Sequence, residues 1–153
     1  MTATAQPTYD ERLTAPRSWW FIALLAGVAL GLIVLPYGPL PMMGGLVVGT
    51  AIACTWVSGQ GSSRIRVING LLIADDAKIP VQALGAPEIL EGEESRAWRT
   101  YKADMRAHML MRSYITTAVR AEVVDPDDPT PYVYLSTRSP QRLVEALAAA
   151  QAA

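Results

Sequence analysis

The hydrophobic pattern changes character along the chain, and each change predicts a different kind of element. From Trp19 to Val57 apolar residues run with little polar relief, broken by Pro36-Tyr37-Gly38-Pro39-Leu40-Pro41. The uncharged halves Trp19–Leu35 and Met42–Val57 are 17 and 16 residues long, roughly 24–26 Å each as helices and close to the minimum for a bilayer span. Neither has a polar face. Helices apolar on every side need lipid or a large protein around them, and only about ninety residues follow. The pattern predicts a transmembrane hairpin over 19–57, preceded by a segment, 1–18, and followed by a flexible Gly/Ser linker, 58–63.

Beyond the linker the pattern becomes that of short strands. Arg64–Ile68 alternates, Asn69-Gly70 is a hairpin turn and Leu71–Ala74 returns. Asp75-Asp76 turns the chain again, and Lys78-Ile79-Pro80 leads into Val81–Leu90. A helix capped by Ser95 is predicted over Arg96–Arg106, and Ala118–Val124 pairs with Tyr132–Ser136 around the loop Asp125–Pro131. Ser139 then caps a helix over 140–150, with Pro140 first and Leu143 and Leu147 facing inward. The expected fold is an α+β membrane protein: a two-helix transmembrane hairpin, then a small antiparallel β-rich domain, 64–153, ending in a helix. That order of elements resembles pleckstrin-homology-like domains.

Small residues refine the hairpin. Ala23, Gly27 and Gly31 in the first span, and Gly45, Gly49 and Ala53 in the second, recur at helical spacing. Each set holds a G-x-x-x-G, which lets helix backbones approach closely in lipid. Folding back about Gly38 sets Gly27 against Gly49, Gly31 against Gly45 and Ala23 against Ala53, with Trp20 level with Trp56. The alternative is that one stripe pairs two copies of the chain. Arg12 and Arg17 before the first span, and Arg64 and Arg66 after the second, place both termini in the cytoplasm by the positive-inside rule. The protein is thus expected in the inner membrane, with Trp19, Trp20 and Trp56 as an interfacial belt and Tyr37 at the far side.

Composition excludes several functions. The 153 residues carry 13 basic and 14 acidic side chains, net charge −1. The domain alone has eleven and twelve, without the basic footprint of nucleic-acid binding. Cys54 is the single cysteine, so an intrachain disulfide and a cysteine zinc site are both excluded, in keeping with a reducing compartment. Met1–Thr8 reads as disordered. No cleavage-site pattern separates the first span from the second, so the start is not a signal peptide.

Candidate chemistry is sparse. His108 with Asp104 four residues earlier would form an acid/base pair on a helix, but no nucleophile motif accompanies them, and a structural histidine is expected. Asp125, Asp127 and Asp128 lack the glycine and terminal glutamate of a calcium loop, so no metal is expected. With Thr130 and Tyr132 they form a proline-stiffened loop tip suited to a protein partner. Arg96, Arg99, Lys102 and Arg106 would share one helix face, opposite Trp98, Tyr101 and Met105, as in an interfacial helix facing anionic lipid. Glu88, Glu91, Glu93, Glu94 and Asp104 oppose that reading. Neither Ser136-Thr137-Arg138 nor Gly59–Ser63 has nucleotide-binding glycine spacing, and no cofactor is expected.

The stretch from Thr117 through Asp125-Pro126-Asp127-Asp128-Pro129-Thr130-Pro131-Tyr132, with Ser136-Thr137-Arg138, resembles an uncharacterised actinobacterial family. It is the family of alanine-rich two-span membrane proteins catalogued as domain of unknown function 3093. Tyr9-Asp10-Glu11-Arg12-Leu13 and the Pro16–Trp19 entry to the first span are similar too, so the resemblance covers nearly the whole chain. It implies an integral membrane protein with a cytoplasmic domain, and no catalytic residues. The expected function is a non-enzymatic adaptor that recruits a protein partner at the inner membrane surface. The alternatives are an anionic-lipid sensor acting through Arg96–Arg106, a hydrolase using His108 and, weakest, a transporter whose spans hold no ionisable group but Cys54.

Overall fold

Two apolar helices make one unit of the chain, Thr14–Ser62. In the computed structural model, which describes residues 8–153, they are α1 (Arg17–Val34) and α2 (Pro39–Gln60). The reversal uses a single 3-10 turn, Leu35–Tyr37, and then Gly38 at φ 118°, a conformation that side-chain-bearing residues avoid. Pro39 and Pro41 fall in the first turn of α2, where a missing N–H costs nothing. Both helices are long and apolar enough to cross a membrane. Their outward side chains have no protein cover: Phe21 is 71 % exposed, Ile33 70 % and Ile52 65 %. Part of the expected linker 58–63 is helical. Ser58–Gln60 continue α2, the Gly61 N–H reaches the Ser58 carbonyl, and the Ser62 hydroxyl caps the Gly59 carbonyl at 2.8 Å.

The second unit joins residues 8–13 to Ser63–Ala153. Its first sheet has the order β1-β2-β3-β4, all antiparallel, from β1 (Tyr9–Arg12), β2 (Arg64–Ile68), β3 (Leu71–Ala74) and β4 (Ala77–Pro80). Asn69 and Gly70 take φ values of 52° and 71°, as the two-residue turn between twisted strands requires. β1 corrects the expectation that 1–18 stands apart from the β-rich domain. Tyr9 lies opposite Val67 and Arg12 opposite Arg64, so both helices are inserted between two neighbouring strands of one sheet. The expected disorder of Met1–Thr8 lies, apart from Thr8, outside the described residues.

The second sheet has the order β5-β7-β8-β6, from β5 (Glu88–Leu90), β6 (His108–Leu110), β7 (Ala118–Glu122) and β8 (Tyr132–Ser136). The β7–β8 hairpin falls where alternation predicts it, but β6 runs parallel to β8, contrary to a wholly antiparallel domain. Parallel neighbours need a long connection, and the chain between them, which includes β7, supplies it. Between β5 and β6 lies α3 (Gly92–Arg99), and α4 (Pro140–Ala152) ends the chain. Leu143, Ala146 and Leu147 of α4 are buried in a core with Leu13, Ile65, Leu72, Val119 and Leu135. Ser139 holds the cap position of α4, but its hydroxyl makes no capping bond.

Candidate functional site

In the helical unit the small residues are where the backbones meet. Ala23, Gly27 and Gly31 are the buried residues of α1. A Cβ on Gly49 would lie 3.1 Å from the Gly27 Cα, and one on Gly45 would lie 3.4 Å from the Gly31 Cα. Ala23 and Ala53 line an apolar cleft of about 340 Å³ closed by Trp19 and Trp56. It is Trp19, not Trp20, that stacks on Trp56, with centroids 5.6 Å apart and planes 4° from parallel.

In the domain, two adjoining hollows of about 490 and 270 Å³ lie where β1 begins, beside α4. Thr8 and Ala149 border both. Ala150, Ala153, Asn69 and Gly70 keep the larger open because their side chains are short or absent, and Arg142 and Glu145 put one charge of each sign on the smaller. β1 is an edge strand. A groove between an edge strand and a helix suits an extended peptide, whose backbone can pair with strand groups while small side chains leave it room. No histidine or cysteine is among the described residues that line it.

The predicted lipid-facing stripe does not form. α3 begins at Gly92, at φ 54°, and ends at Arg99, so Ser95 lies inside it rather than capping it. Ser95 is buried, with its hydroxyl 2.8 Å from that of Tyr134. Thr100 leaves the helical conformation, and its hydroxyl caps the Arg96 carbonyl at 2.8 Å. Lys102 and Arg106 follow in a turn, and the Asp104 N–H donates to the Tyr132 hydroxyl at 2.9 Å. Arg96 and Arg99 therefore share no helix face with Lys102 and Arg106. Trp98 packs inward, edge-on to Tyr132 at 5.2 Å, with the Arg120 guanidinium 4.1 Å above its ring. Arg120 also donates to Glu88 at 3.1 Å and Glu122 at 2.9 Å, so its charge is answered by two carboxylates and π faces, although its Nε is buried without a hydrogen-bond partner among the described residues.

The Asp125–Pro131 loop orders itself. The Asp125 carboxylate accepts the Asp127 N–H at 3.0 Å, and the Asp128 carboxylate accepts the Thr130 N–H at 2.9 Å. The bonds from Thr130 hold the Asp128 carboxyl below the usual carboxylate range. Tyr132, expected at the loop tip, is only 4 % exposed and packs against Trp98. His108 lies in β6, half-buried, and its Nε2 has no hydrogen-bond partner among the described residues. Asp104 bonds Arg106 instead, at 3.2 Å, which holds its carboxyl below the ordinary range.

One constellation escaped the sequence reading. The Glu11 carboxylate accepts the Tyr9 hydroxyl at 2.5 Å, the Thr137 hydroxyl at 2.5 Å and the Arg138 N–H at 2.9 Å. It fastens β1 to the segment that opens α4. Burial first, then the bond to Glu11, pushes the Tyr9 phenol well above its ordinary value. The available signal was Tyr9-x-Glu11-x-Leu13, an alternation that a charged residue at an inward position disguised.

The chain matches the family described as Protein of unknown function (DUF3093) over residues 8–147, and it belongs to that family. No curated protein and no solved structure matches it.

Proposed function

We propose that this DUF3093 member is a non-enzymatic integral membrane adaptor: the α1–α2 hairpin spans the inner membrane, and the domain recruits an extended segment of a partner protein into the groove between β1 and α4. The observation that carries this reading is the splice of α1 and α2 between paired strands. The Leu13 N–H donates to the Ser63 carbonyl at 2.9 Å, so the chain leaves and re-enters the domain at one place. A pair of apolar helices with adjacent ends supports an even number of crossings, with both termini on one side. Arg12, Arg17, Arg64 and Arg66 near those ends make that side the cytoplasm.

Two four-stranded sheets closed by α4 support a pleckstrin-homology-like domain, from which the parallel β6–β8 pair departs. The self-ordered Asp125–Pro131 loop, with Asp125 and Asp127 exposed, is a second contact for the same partner. The hydrolase alternative has no support from geometry, because His108 and Asp104 do not pair.

The test is photo-crosslinking from position 149 in native membranes, with and without Ala150→Trp, which fills the groove. One defined protein adduct, lost on filling and retained when Asp125–Pro131 is replaced by a neutral turn, supports the groove as the primary site. Adducts to lipid alone, or unchanged by Ala150→Trp, would remove it.

A further inference from the structure

The place where the domain releases the chain toward α1 and takes it back from α2 is ringed by arginine. Arg12 and Arg64 stand directly opposite each other beside the Leu13–Ser63 hydrogen bond. Like charges at such a position repel. Asp10 relieves this by holding Arg64 through two bonds of 2.7 Å, while Arg12 stays exposed and without an ion pair among the described residues. The loop between β6 and β7 adds Arg112, whose guanidinium donates to the Ser63 hydroxyl and, at 3.0 Å, to the Met111 carbonyl. The Arg99 guanidinium reaches the Ile115 carbonyl of the same loop at 3.4 Å. Tyr114 donates to the Leu13 carbonyl at 3.1 Å, and Arg138 lies 5.7 Å over its ring. Five separate segments thus bring five guanidiniums to one end of the domain.

Among the described residues, the carboxylates nearest Arg12, Arg64 and Arg112 are engaged elsewhere or by Arg64 itself. Asp10 serves Arg64, and Glu11 is occupied by Tyr9, Thr137 and the Arg138 N–H. Arg106 and Arg120, elsewhere, each have a carboxylate partner. Arg112 has none among the described residues, and its Nε is buried without a hydrogen-bond partner. Leaving a buried charged donor unmatched is costly, and the planar guanidinium fork matches a phosphate oxygen pair. Met111, next in sequence, is 43 % exposed, an apolar side chain beside the cations.

We infer that this arginine collar binds the phosphate headgroups of anionic membrane lipids, with Arg112 at its centre and Arg12 at its rim. The inference rests on the membrane part of the proposed function. α1 starts four residues after Leu13 and α2 ends three before Ser63, a tether of roughly 10–14 Å at full extension. The medium at the Arg17 end of α1 and the Gln60 end of α2 is therefore within reach of the collar. That proximity favours a lipid phosphate over a soluble one. The basic lipid contact is thus reassigned from the Arg96–Arg106 stripe to residues far apart in sequence, with Arg99 common to both.

The full chain is reconstituted into nanodiscs of equal phosphatidylcholine and phosphatidylglycerol, and the lipids retained after transfer to mild detergent are quantified. Wild type is expected to retain the anionic lipid preferentially, and Arg12→Gln and Arg112→Gln each to cut that enrichment about fivefold, the weight of one cation near an anionic surface. Arg12 is exposed and has no ion pair among the described residues, so its variant reads binding even where Arg112→Gln folds poorly. Arg96→Gln, exposed on α3 and outside the collar, should retain the enrichment. Equal retention of both lipids, an equal loss in Arg96→Gln, or erasure of the preference by millimolar inorganic phosphate would overturn the assignment. Carbonate washing of native membranes separates the two readings: a protein that washes out fails as a membrane protein, whereas one that stays without a lipid preference fails only at the collar.

Discussion

Between α1 and α2, contact occurs where side chains are missing; in the domain, distant segments are joined by side chains that carry charge. The Gly27–Gly49 and Gly31–Gly45 approaches bring backbone against backbone, and the outward residues have no protein to pack on. In the domain, Glu11, with Tyr9, ties a strand near the start of the chain to the segment opening its last helix. The difference follows from the proposed surroundings. If α1 and α2 span the membrane as proposed, there is little hydrophobic drive between them in hydrocarbon, and close packing of small residues must hold them. In water, burial drives collapse, and buried polar groups survive where they are matched. Each region should therefore fail under a different insult.

The largest expected effect cuts the regions apart. Because Leu13 and Ser63 are hydrogen-bonded neighbours, replacing Thr14–Ser62 by an Asn-Gly turn turns β1–β2 into an ordinary hairpin. That protein should fold as a soluble domain. Residues 64–153 alone should not, because they lack Tyr9 and Leu13 from the core and leave β2 paired only with β3, as an exposed edge strand. Dispersed amide NMR spectra from the first and not the second are the expected outcome. Equal dispersion from both would mean that β1 is dispensable.

Next in size is Gly27→Leu. A Cβ there would lie 1.9 Å from the Thr50 Oγ1 and 2.9 Å from the Thr50 backbone nitrogen, so rotating the threonine does not make room. The loss should be about 3 kcal/mol, as for a severely overpacked core. It is measured by denaturant titration in detergent, together with loss of a disulfide between cysteines placed at 23 and 53 in a Cys54→Ser background. Gly44→Leu, on the same pair of helices, should do neither, since nothing lies within 4 Å of its added Cβ.

What the sequence revealed depended on how local each determinant was. Asn69-Gly70 was legible because its backbone angles are intrinsic to those two residue types. The apolar block was legible because composition alone defines it. β1 was not, because Glu11 sits at an inward position whose acceptability depends on Thr137 and Arg138, far away in sequence. The 96–106 stripe misled for the same reason: periodicity allowed a long helix, but Trp98 is drawn in by Tyr132 and Arg120, and Thr100 ends the helix early. Tyr132 looked like a loop tip because its partners are invisible from its neighbours. The collar was hidden completely, since five segments contribute one arginine each.

The polar ties of the domain should break with base. Burial raises the Tyr9 and Tyr134 phenols above the ordinary value of 10; Glu11 adds to this at Tyr9, while Ser95 opposes it at Tyr134. The unfolded chain loses these protons near pH 10 while the folded one keeps them. Stability from this source is thus fully present below pH 10 and falls as pH rises past it. Denaturation midpoints of the domain lacking Thr14–Ser62 should decline through that range, and Tyr9→Phe should flatten the decline. An unchanged slope would exclude Tyr9 as a source.

The finest test makes one substitution in both regions. The Thr137 hydroxyl is buried, bonds Glu11 and Tyr9, and receives the Ser139 N–H at 3.1 Å. Thr137→Val should cost about 2 kcal/mol, because the Glu11 charge and the Tyr9 hydroxyl both lose a partner. The Thr50 hydroxyl, between the helices, is buried with no hydrogen-bond partner among the described residues, whereas Thr55 donates to the Ala51 carbonyl at 2.8 Å. Thr50→Val replaces an unmatched polar atom with a methyl of similar size, and a gain of about 1 kcal/mol is expected. Opposite signs for the same change would show that polar atoms hold one unit together and burden the other. A loss at Thr50 as large as that at Thr137 would mean that its hydroxyl finds a partner in the bilayer, and that the helices are joined by more than the absence of side chains.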